Sequence, residues 1–171
     1  MSKYQRQARR VQVPLEEPFI GDEYYDYADA FQARLHPLDV RSAEDISRCG
    51  LEQAPEPVGS AVRWVHRHVL RATPAPRSSP DYVEDWRVLT SQPDAVHIRK
   101  DSPLMRAELI FRKLDGDDVR VTTYVFWKQR ALCRALWVAV GPAHRTVVPY
   151  LLNHAVRRGS VKEEVCSGAG R

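Results

Sequence analysis

His144 is the residue whose type and position most clearly suggest chemistry. It lies in an amphipathic segment, residues 130–158, on the face that Trp137, Val140 and Val148 share at helical spacing. An imidazole that reaches a substrate carbonyl or hydroxyl can act as a general acid or base. A partly buried histidine is also often only a hydrogen-bonded core residue, and the sequence leaves both alternatives open. Under the functional alternative, His144 is the predicted acid–base residue.

Thr123 is the second predicted catalytic residue. It falls on the inward face of a predicted strand, where its hydroxyl could orient a ligand, although threonine is also a common packing residue in strands. The predicted substrate-binding residues are aromatic, apolar or histidine side chains that could wall a pocket. They are Trp64, His68, Trp86, Leu109, Phe111, Trp127, Trp137, Val140 and Val148. For each tryptophan taken singly, core filling is the simpler alternative.

The sequence lacks the motifs that several other enzyme classes require. The sequence contains no glycine-rich phosphate loop, GxSxG elbow or HExxH helix. Its three cysteines, Cys49, Cys133 and Cys166, are far apart and belong to no Cys/His array. We therefore expect no metal site and no other cofactor.

The apolar spacing predicts helices first and then strands. A strand at 27–35 precedes helices at 43–49 and 59–71, the first of them capped by Ser42 at the start of SAED. A proline- and serine-rich loop at 73–81 could be a mobile flap or a plain connection. From residue 84 the period becomes two, which predicts antiparallel strands at 84–91, 95–101, 105–114 and 119–128. By strand parity Leu109, Phe111 and Thr123 point inward, whereas Glu108 and Tyr124 point outward.

The last apolar segment predicts a helix over residues 130–158. Pro142 and Pro149 lie inside it, so we expect a bend near Gly141. A competing interpretation makes 135–140 a last strand and begins the helix at 143. We prefer the helix because Trp137, Val140 and His144 continue one face. A curved sheet covered by this helix would enclose a concave, mostly apolar pocket.

The net charge of +4 has a local origin. Lys3, Arg6, Arg9 and Arg10 account for all of it, so the rest of the 171 residues are balanced. We expect a flexible basic arm and lead-in at 1–23, one domain at 24–158 and a disordered tail at 159–171. With no basic stripe, no membrane-spanning segment and no signal-peptide pattern, we expect no nucleic-acid partner, no membrane span and a cytoplasmic location. A monomer or a homodimer is expected.

Four segments carry a family resemblance. YADAF, KDSPLMRAEL, VTTYVF and RALWVAVGPAHRTVVPYLL together resemble an uncharacterised bacterial domain family of the START-like, polyketide-cyclase-like helix-grip superfamily. The resemblance covers roughly residues 24–158 and is most specific at Trp137, Pro142, His144 and Arg145. It departs from the family at Ala143, where members usually carry a bulky residue, and at the Asp101–Leu104 turn. The resemblance implies an α+β helix-grip fold and a hydrophobic small-molecule ligand, and it transfers no catalytic motif.

Two functions follow as hypotheses. The leading one is a cofactor-independent enzyme of specialised metabolism that cyclises or dehydrates a hydrophobic polyketide-like substrate in an internal pocket. In it His144 moves protons and Thr123 orients the substrate. The alternative is a non-catalytic protein that binds or carries a lipid or polyketide. A purely structural module, which would have no cavity, is a weaker third possibility.

Overall fold

Seven antiparallel strands form one curved, unclosed sheet in the order β1-β2-β7-β6-β5-β4-β3. The computed structural model describes residues 7–76 and 79–168, with the backbone alone from residue 160 onward. The strands are β1 (Arg9–Val11), β2 (Tyr27–Arg34), β3 (Tyr82–Val83), β4 (Trp86–Ser91), β5 (Ala95–Asp101), β6 (Met105–Leu114) and β7 (Asp118–Trp127). The helices are α1 (Ala43–Leu51), α2 (Val58–Trp64), which continues as a π-helical turn (Val65–Val69), and α3 (Arg130–Gly168). This is the expected α+β helix-grip architecture.

The central hairpin forms as the alternation predicts. The bounds of β5 and β6 coincide with the predicted strands, and Gly116 adopts the left-handed backbone, φ +78°, that the tight turn before β7 requires. The inward residues Val96, Leu109 and Phe111 are buried in the main core with Leu152 and Val156 of α3. Strand parity therefore identified the concave face of the sheet correctly.

Helix α1 begins with the predicted cap. The Ser42 hydroxyl accepts a hydrogen bond from the Asp45 amide at 3.1 Å, and the Asp45 carboxylate accepts one from the Ser42 amide at 3.1 Å. Its far end crosses α3 closely, since a Cβ at Gly50 would lie 3.4 Å from the carbonyl oxygen of Leu151. Helix α1 therefore packs against α3, and it also contacts β5 and β6 of the sheet.

The final apolar segment is one helix, so the competing strand at 135–140 is wrong. Pro142 and Pro149 both lie inside α3. Helix α3 also extends past Arg158 to Gly168, through much of the segment expected to be a tail, while residues 169–171 lie outside the described residues. None of the helices in the described part of the chain combines the length and apolar character needed to cross a membrane.

The second predicted helix changes type half-way. The sequence pattern predicts a regular helix over 59–71, but the α-helical part ends at Trp64 and a π-helical turn follows. The apolar stripe that predicted this helix is only partly covered, because Val65 and Val69 are half-buried. The two central residues of the 73–81 loop, 77–78, lie outside the described residues, so the flap stays a prediction.

The convex face of the sheet is covered, which the sequence pattern did not indicate. Residues of the expected flexible lead-in, Val13, Phe19 and Ile20, pack on Ile110 and Tyr124. Residues 9–11 add the edge strand β1 to β2. The sequence predicted neither the cover nor the edge strand, because the apolar residues of 1–23 are few and show no regular period.

The convex face also buries charge under this segment. Glu108 is 5% exposed and lies 2.6 Å from Nε2 of His97 and 2.9 Å from Nε of Arg106. The ring of Phe19 stacks on His97, and Arg112 donates to Glu17 at 2.6 Å. Glu108 points away from the concave face as predicted. The convex face that it points to is a second, partly polar core and not a solvent-exposed surface.

Candidate functional site

Three polar side chains meet on the concave face of the sheet. The buried carboxylate of Asp29 accepts a hydrogen bond from the Tyr27 hydroxyl at 2.6 Å through Oδ2. Its other oxygen, Oδ1, lies 3.2 Å from Nε2 of His144. Asp29 is 0% exposed, whereas the His144 side chain is 16% exposed. A hydrogen-bonded chain therefore links a buried carboxylate to an imidazole that solvent reaches.

Strand β2 and helix α3 position this chain. Tyr27 and Asp29 are two residues apart in β2, so both point to the concave face, and α3 presents His144 to them. Asp29 is the register partner of Thr123 in β7. The rings of Tyr27, Trp137 and His144 pack together, with Trp137 centroids 4.6 Å from Tyr27 and 5.7 Å from His144. An aromatic wall thus flanks the polar chain.

Asp29 is held in its charged form despite its depth. Burial alone would raise its pKa, but the hydrogen bond and charge of His144 and the hydrogen bond from Tyr27 outweigh that cost, and the net effect lowers the pKa. The Thr123 hydroxyl is itself buried, 2% exposed, and makes no hydrogen bond of good geometry with the described residues. Thr123 therefore has unused hydrogen-bonding capacity beside the carboxylate.

The Tyr27 phenol stays protonated across the physiological range. Burial raises its pKa to about 12, assisted by the hydrogen bond to Asp29 and its charge, while nearby Arg145 opposes the rise. A neutral phenol donates its only proton to Asp29, which fixes the orientation of that carboxylate. Tyr27 therefore supports Asp29 rather than supplying an acid of its own.

This geometry suits His144 to acid–base chemistry. An ionised carboxylate only accepts hydrogen bonds, so Asp29 favours the tautomer of neutral His144 that carries its proton on Nε2. Nδ1 then carries the free lone pair, and it forms no hydrogen bond with the described residues. A buried carboxylate that orients an imidazole and stabilises its protonated form is a recurring arrangement for general bases.

A second polar cluster lies at the β4–β5 side of the same face. The Lys100 side chain, 6% exposed, forms an ion pair with Asp85, and its ammonium lies 5.7 Å from the centre of the Trp86 ring. His66 packs edge-on against Trp86 at 5.7 Å. Burial lowers the pKa of His66 to about 4, assisted by the charge of Lys100. Of these four residues, the sequence predicted a binding role for Trp86 alone.

A small cavity adjoins this second cluster. Its volume is about 20 Å³, and its walls include His66, Asp85, Trp86 and Leu151. A much larger groove of about 370 Å³ lies at the β1–β2 edge, among mostly polar residues such as Gln32 and Asp118. The cavity at the β4–β5 side would hold about one water molecule, and the large apolar pocket expected from the sequence stays a prediction.

The other predicted site residues are scattered. His68 is exposed and Trp64 is 59% exposed, and the two rings pack on each other at the surface. Leu109 and Phe111 are core residues, with Val148 packed against that core. Trp127 and Trp137 join a smaller cluster around Met105 and Cys133, and Val140 is half-buried. Of the predicted residues, Trp137 thus packs on the His144 ring, and Thr123 lies opposite Asp29 in the sheet.

The sequence did not predict Asp29, the hydrogen-bond partner of His144, or Tyr27, which donates to Asp29. Tyr27 and Asp29 lie in YADAF, where Tyr27, Asp29 and Phe31 alternate at period two. The sequence shows that alternation. An aspartate in such a strand is expected to face solvent, however, unless a buried hydrogen-bond partner is known. Among the described residues, no group of three or more His, Cys, Asp and Glu side chains could hold a metal ion.

Comparisons with known proteins add little to this geometry. No protein-family model matches the chain, and no curated protein matches it. The crystal structure of CalU16 from Micromonospora echinospora is similar over 92% of this chain and 94% of that one, with 12% sequence identity and a TM-score of 0.28. A likeness at that TM-score carries no argument, so the fold rests on the strand order and helices described above. Membership of the START-like family stays a prediction.

Proposed function

We propose that this protein is a cofactor-independent acid–base enzyme that dehydrates or cyclises an oxygenated, largely hydrophobic small molecule. One observation carries the proposal: the His144 ring is hydrogen-bonded through Nε2 to the fully buried Asp29, and Nδ1 has no partner among the described residues. Trp137 packs on the same imidazole and Thr123 lies opposite Asp29 in the sheet, and both would orient the substrate.

The proposed reaction needs only proton transfers. Nδ1 of His144 removes the proton α to a substrate carbonyl, and the electron pair forms an enolate. In dehydration the enolate then expels the β-hydroxyl, which takes up the proton from His144 and leaves as water. In cyclisation the enolate carbon instead attacks a second carbonyl of the same molecule, and His144 returns its proton to the new alkoxide. Asp29 stabilises the imidazolium formed in either course.

The alternative is a carrier for a bulky lipid, which would not need the hydrogen bond between His144 and Asp29. A carrier needs an enclosed volume of several hundred Å³. The cavity between the helices and the β4–β5 side of the sheet measures about 20 Å³. A lipid that co-purifies in stoichiometric amount, identified by mass spectrometry of the extracted protein, would favour the carrier.

The turnover test uses a β-hydroxy aryl ketone, whose dehydration yields a conjugated enone with strong ultraviolet absorbance. Removal of a general base lowers such rates by about 10²–10⁴-fold. We expect His144→Gln to reduce the rate of enone formation by at least about 10²-fold relative to the wild type.

The matched control is His68→Gln, because His68 is an exposed histidine that lacks a carboxylate partner among the described residues. We expect this variant to keep the wild-type rate. Equal rates for the wild type and His144→Gln, or no enone formation above the buffer rate, would contradict an acid–base function at His144.

A further inference from the structure

The ion pair of buried Lys100 and half-buried Asp85 lies outside the His144 site, and the proposed reaction does not use it. Lys100 points to the concave face from β5, and its contact with Asp85 accounts for one of its three donors. The second carboxylate oxygen, Oδ1 of Asp85, is buried and has no hydrogen-bond partner among the described residues. A buried carboxylate oxygen without a hydrogen-bond partner is costly, so Oδ1 of Asp85 is the atom to which a further polar group would bind.

Two backbone irregularities flank this ion pair. The π-helical turn Val65–Val69 carries His66 at the wall of the cavity, and π-helical turns occur frequently at functional sites. Glu84, directly before Asp85, has a left-handed φ of +54° although it is not glycine. Such strained residues cluster at ligand sites. Both irregularities position groups that line the same cavity.

The cavity matches a single hydroxyl group in size and in hydrogen bonding. Its volume of about 20 Å³ is that of one water-sized oxygen. Asp85 Oδ1 offers an acceptor, and the neutral His66 ring, which makes no hydrogen bond with the described residues, offers one N–H donor. A hydroxyl can donate to the first and accept from the second.

The register of the sheet relates this cavity to the His144 site. Lys100 pairs with Ala107, Ala107 with Val125, and Val125 with Tyr27. Three strand spacings separate Lys100 from Tyr27, or about 14 Å along the sheet. The small Ala107 side chain is half-buried between them. A molecule that contacts both clusters must therefore span about 14 Å along the concave face.

We infer that Asp85 and His66 bind a hydroxyl group of the substrate, and that Lys100 is a positioning residue that holds the Asp85 carboxylate towards that hydroxyl. The inference rests on the proposed function and names its substrate class: an elongated molecule with a hydroxyl remote from the reacting carbonyl. The hydroxyl gives such a substrate a fixed orientation at His144.

Phenol and toluene test this directly, because they differ only by a hydroxyl in place of a methyl group. We expect phenol to bind the full chain at least about tenfold more tightly than toluene, since a hydrogen bond to a charged group contributes about 1.5–3 kcal/mol. Titrations followed by NMR report the site, with phenol shifting the indole resonance of Trp86. Equal affinities, a preference for toluene, or no shift of Trp86 would overturn the inference.

The decisive variant is the double substitution Asp85→Leu with Lys100→Met, which replaces both charges by apolar groups and so avoids leaving one charge buried alone. We expect it to fold and to prefer toluene. The control removes the exposed pair of Arg99 and Asp101 from the same strand, as Arg99→Gln with Asp101→Asn, and we expect it to keep the preference for phenol. A double variant that still prefers phenol would overturn the inference.

His66→Phe separates the two ligand groups, because it keeps a ring against Trp86 and removes the N–H donor. We expect this variant to lose part of the phenol preference, and an unchanged preference would remove His66 from the site. The His144→Gln variant should keep the preference in full. Failure at the hydroxyl cavity and failure of the acid–base proposal therefore give different results.

Discussion

Asp29→Ala is expected to lower the free energy of unfolding by about 3–5 kcal/mol, the range found when one partner of a buried, hydrogen-bonded pair is removed. Asp29 is 0% exposed, and the substitution deprives both the Tyr27 hydroxyl and Nε2 of His144 of their acceptor. Chemical denaturation of the wild type and the variant measures the loss. Asp22→Ala is the control, because Asp22 is exposed, and we expect it to change stability by less than about 0.5 kcal/mol.

The effect of Asp29 should also depend on pH in one direction. Its pKa is lower in the folded protein than in the unfolded chain, so the carboxylate stabilises the fold above the unfolded value of 3.8. That contribution disappears as the pH falls through the lowered, folded-state pKa. The stability difference between the wild type and Asp29→Ala should therefore be full at neutral pH and shrink in acid. A difference that is small at pH 7, or that grows in acid, would contradict this assignment.

Glu108→Ala is expected to cost about 3 kcal/mol or more on the opposite face of the sheet. Glu108 forms one hydrogen bond with His97 and an ion pair with Arg106. Its removal leaves the His97 ring and the Arg106 guanidinium without this partner in a largely buried setting. Arg106 also lies over the Phe126 ring at 3.8 Å, so its displacement would disturb the packing beneath residues 13–20. Thermal or chemical unfolding measures the change.

Glu16→Ala provides the comparison for this second substitution. Glu16 is exposed and belongs to the same covering segment, so its removal should leave stability nearly unchanged. Limited proteolysis adds a local readout: cleavage near residues 13–20 should be faster in Glu108→Ala than in Glu16→Ala. If the two variants were equally stable and equally resistant, the convex face would not be the second core that the contacts indicate.

Strand alternation predicted most of the fold because it depends on local sequence. The bounds of β5 and β6 and the inward parity of Leu109 and Phe111 follow from period two alone. Helix α3 followed from the continuous face of Trp137, Val140 and His144. The cover on the convex face could not be predicted, because Val13 and Phe19 are buried by contacts with residues far along the chain.

The candidate site shows the same division. His144 was recognisable as a polar residue on an apolar helix face, but its partner Asp29 lies 115 residues away in sequence. Lys100 was an ordinary charged residue at the end of an alternating strand, and only the fold shows that Asp85 and Trp86 enclose it. Trp64 was predicted to wall a pocket because it is aromatic, but its side chain is 59% exposed, and a π-helical turn follows it.

The tautomer of His144 tests the central claim most directly. Nitrogen NMR of the ring, at a pH where the imidazole is neutral, distinguishes a proton on Nε2 from one on Nδ1. We predict that neutral His144 in the wild type carries its proton on Nε2, with Nδ1 free to accept one, and that Asp29→Ala loses this preference while the signals of exposed His68 stay unchanged. A wild-type ring protonated on Nδ1, or the same tautomer ratio in both proteins, would contradict the account.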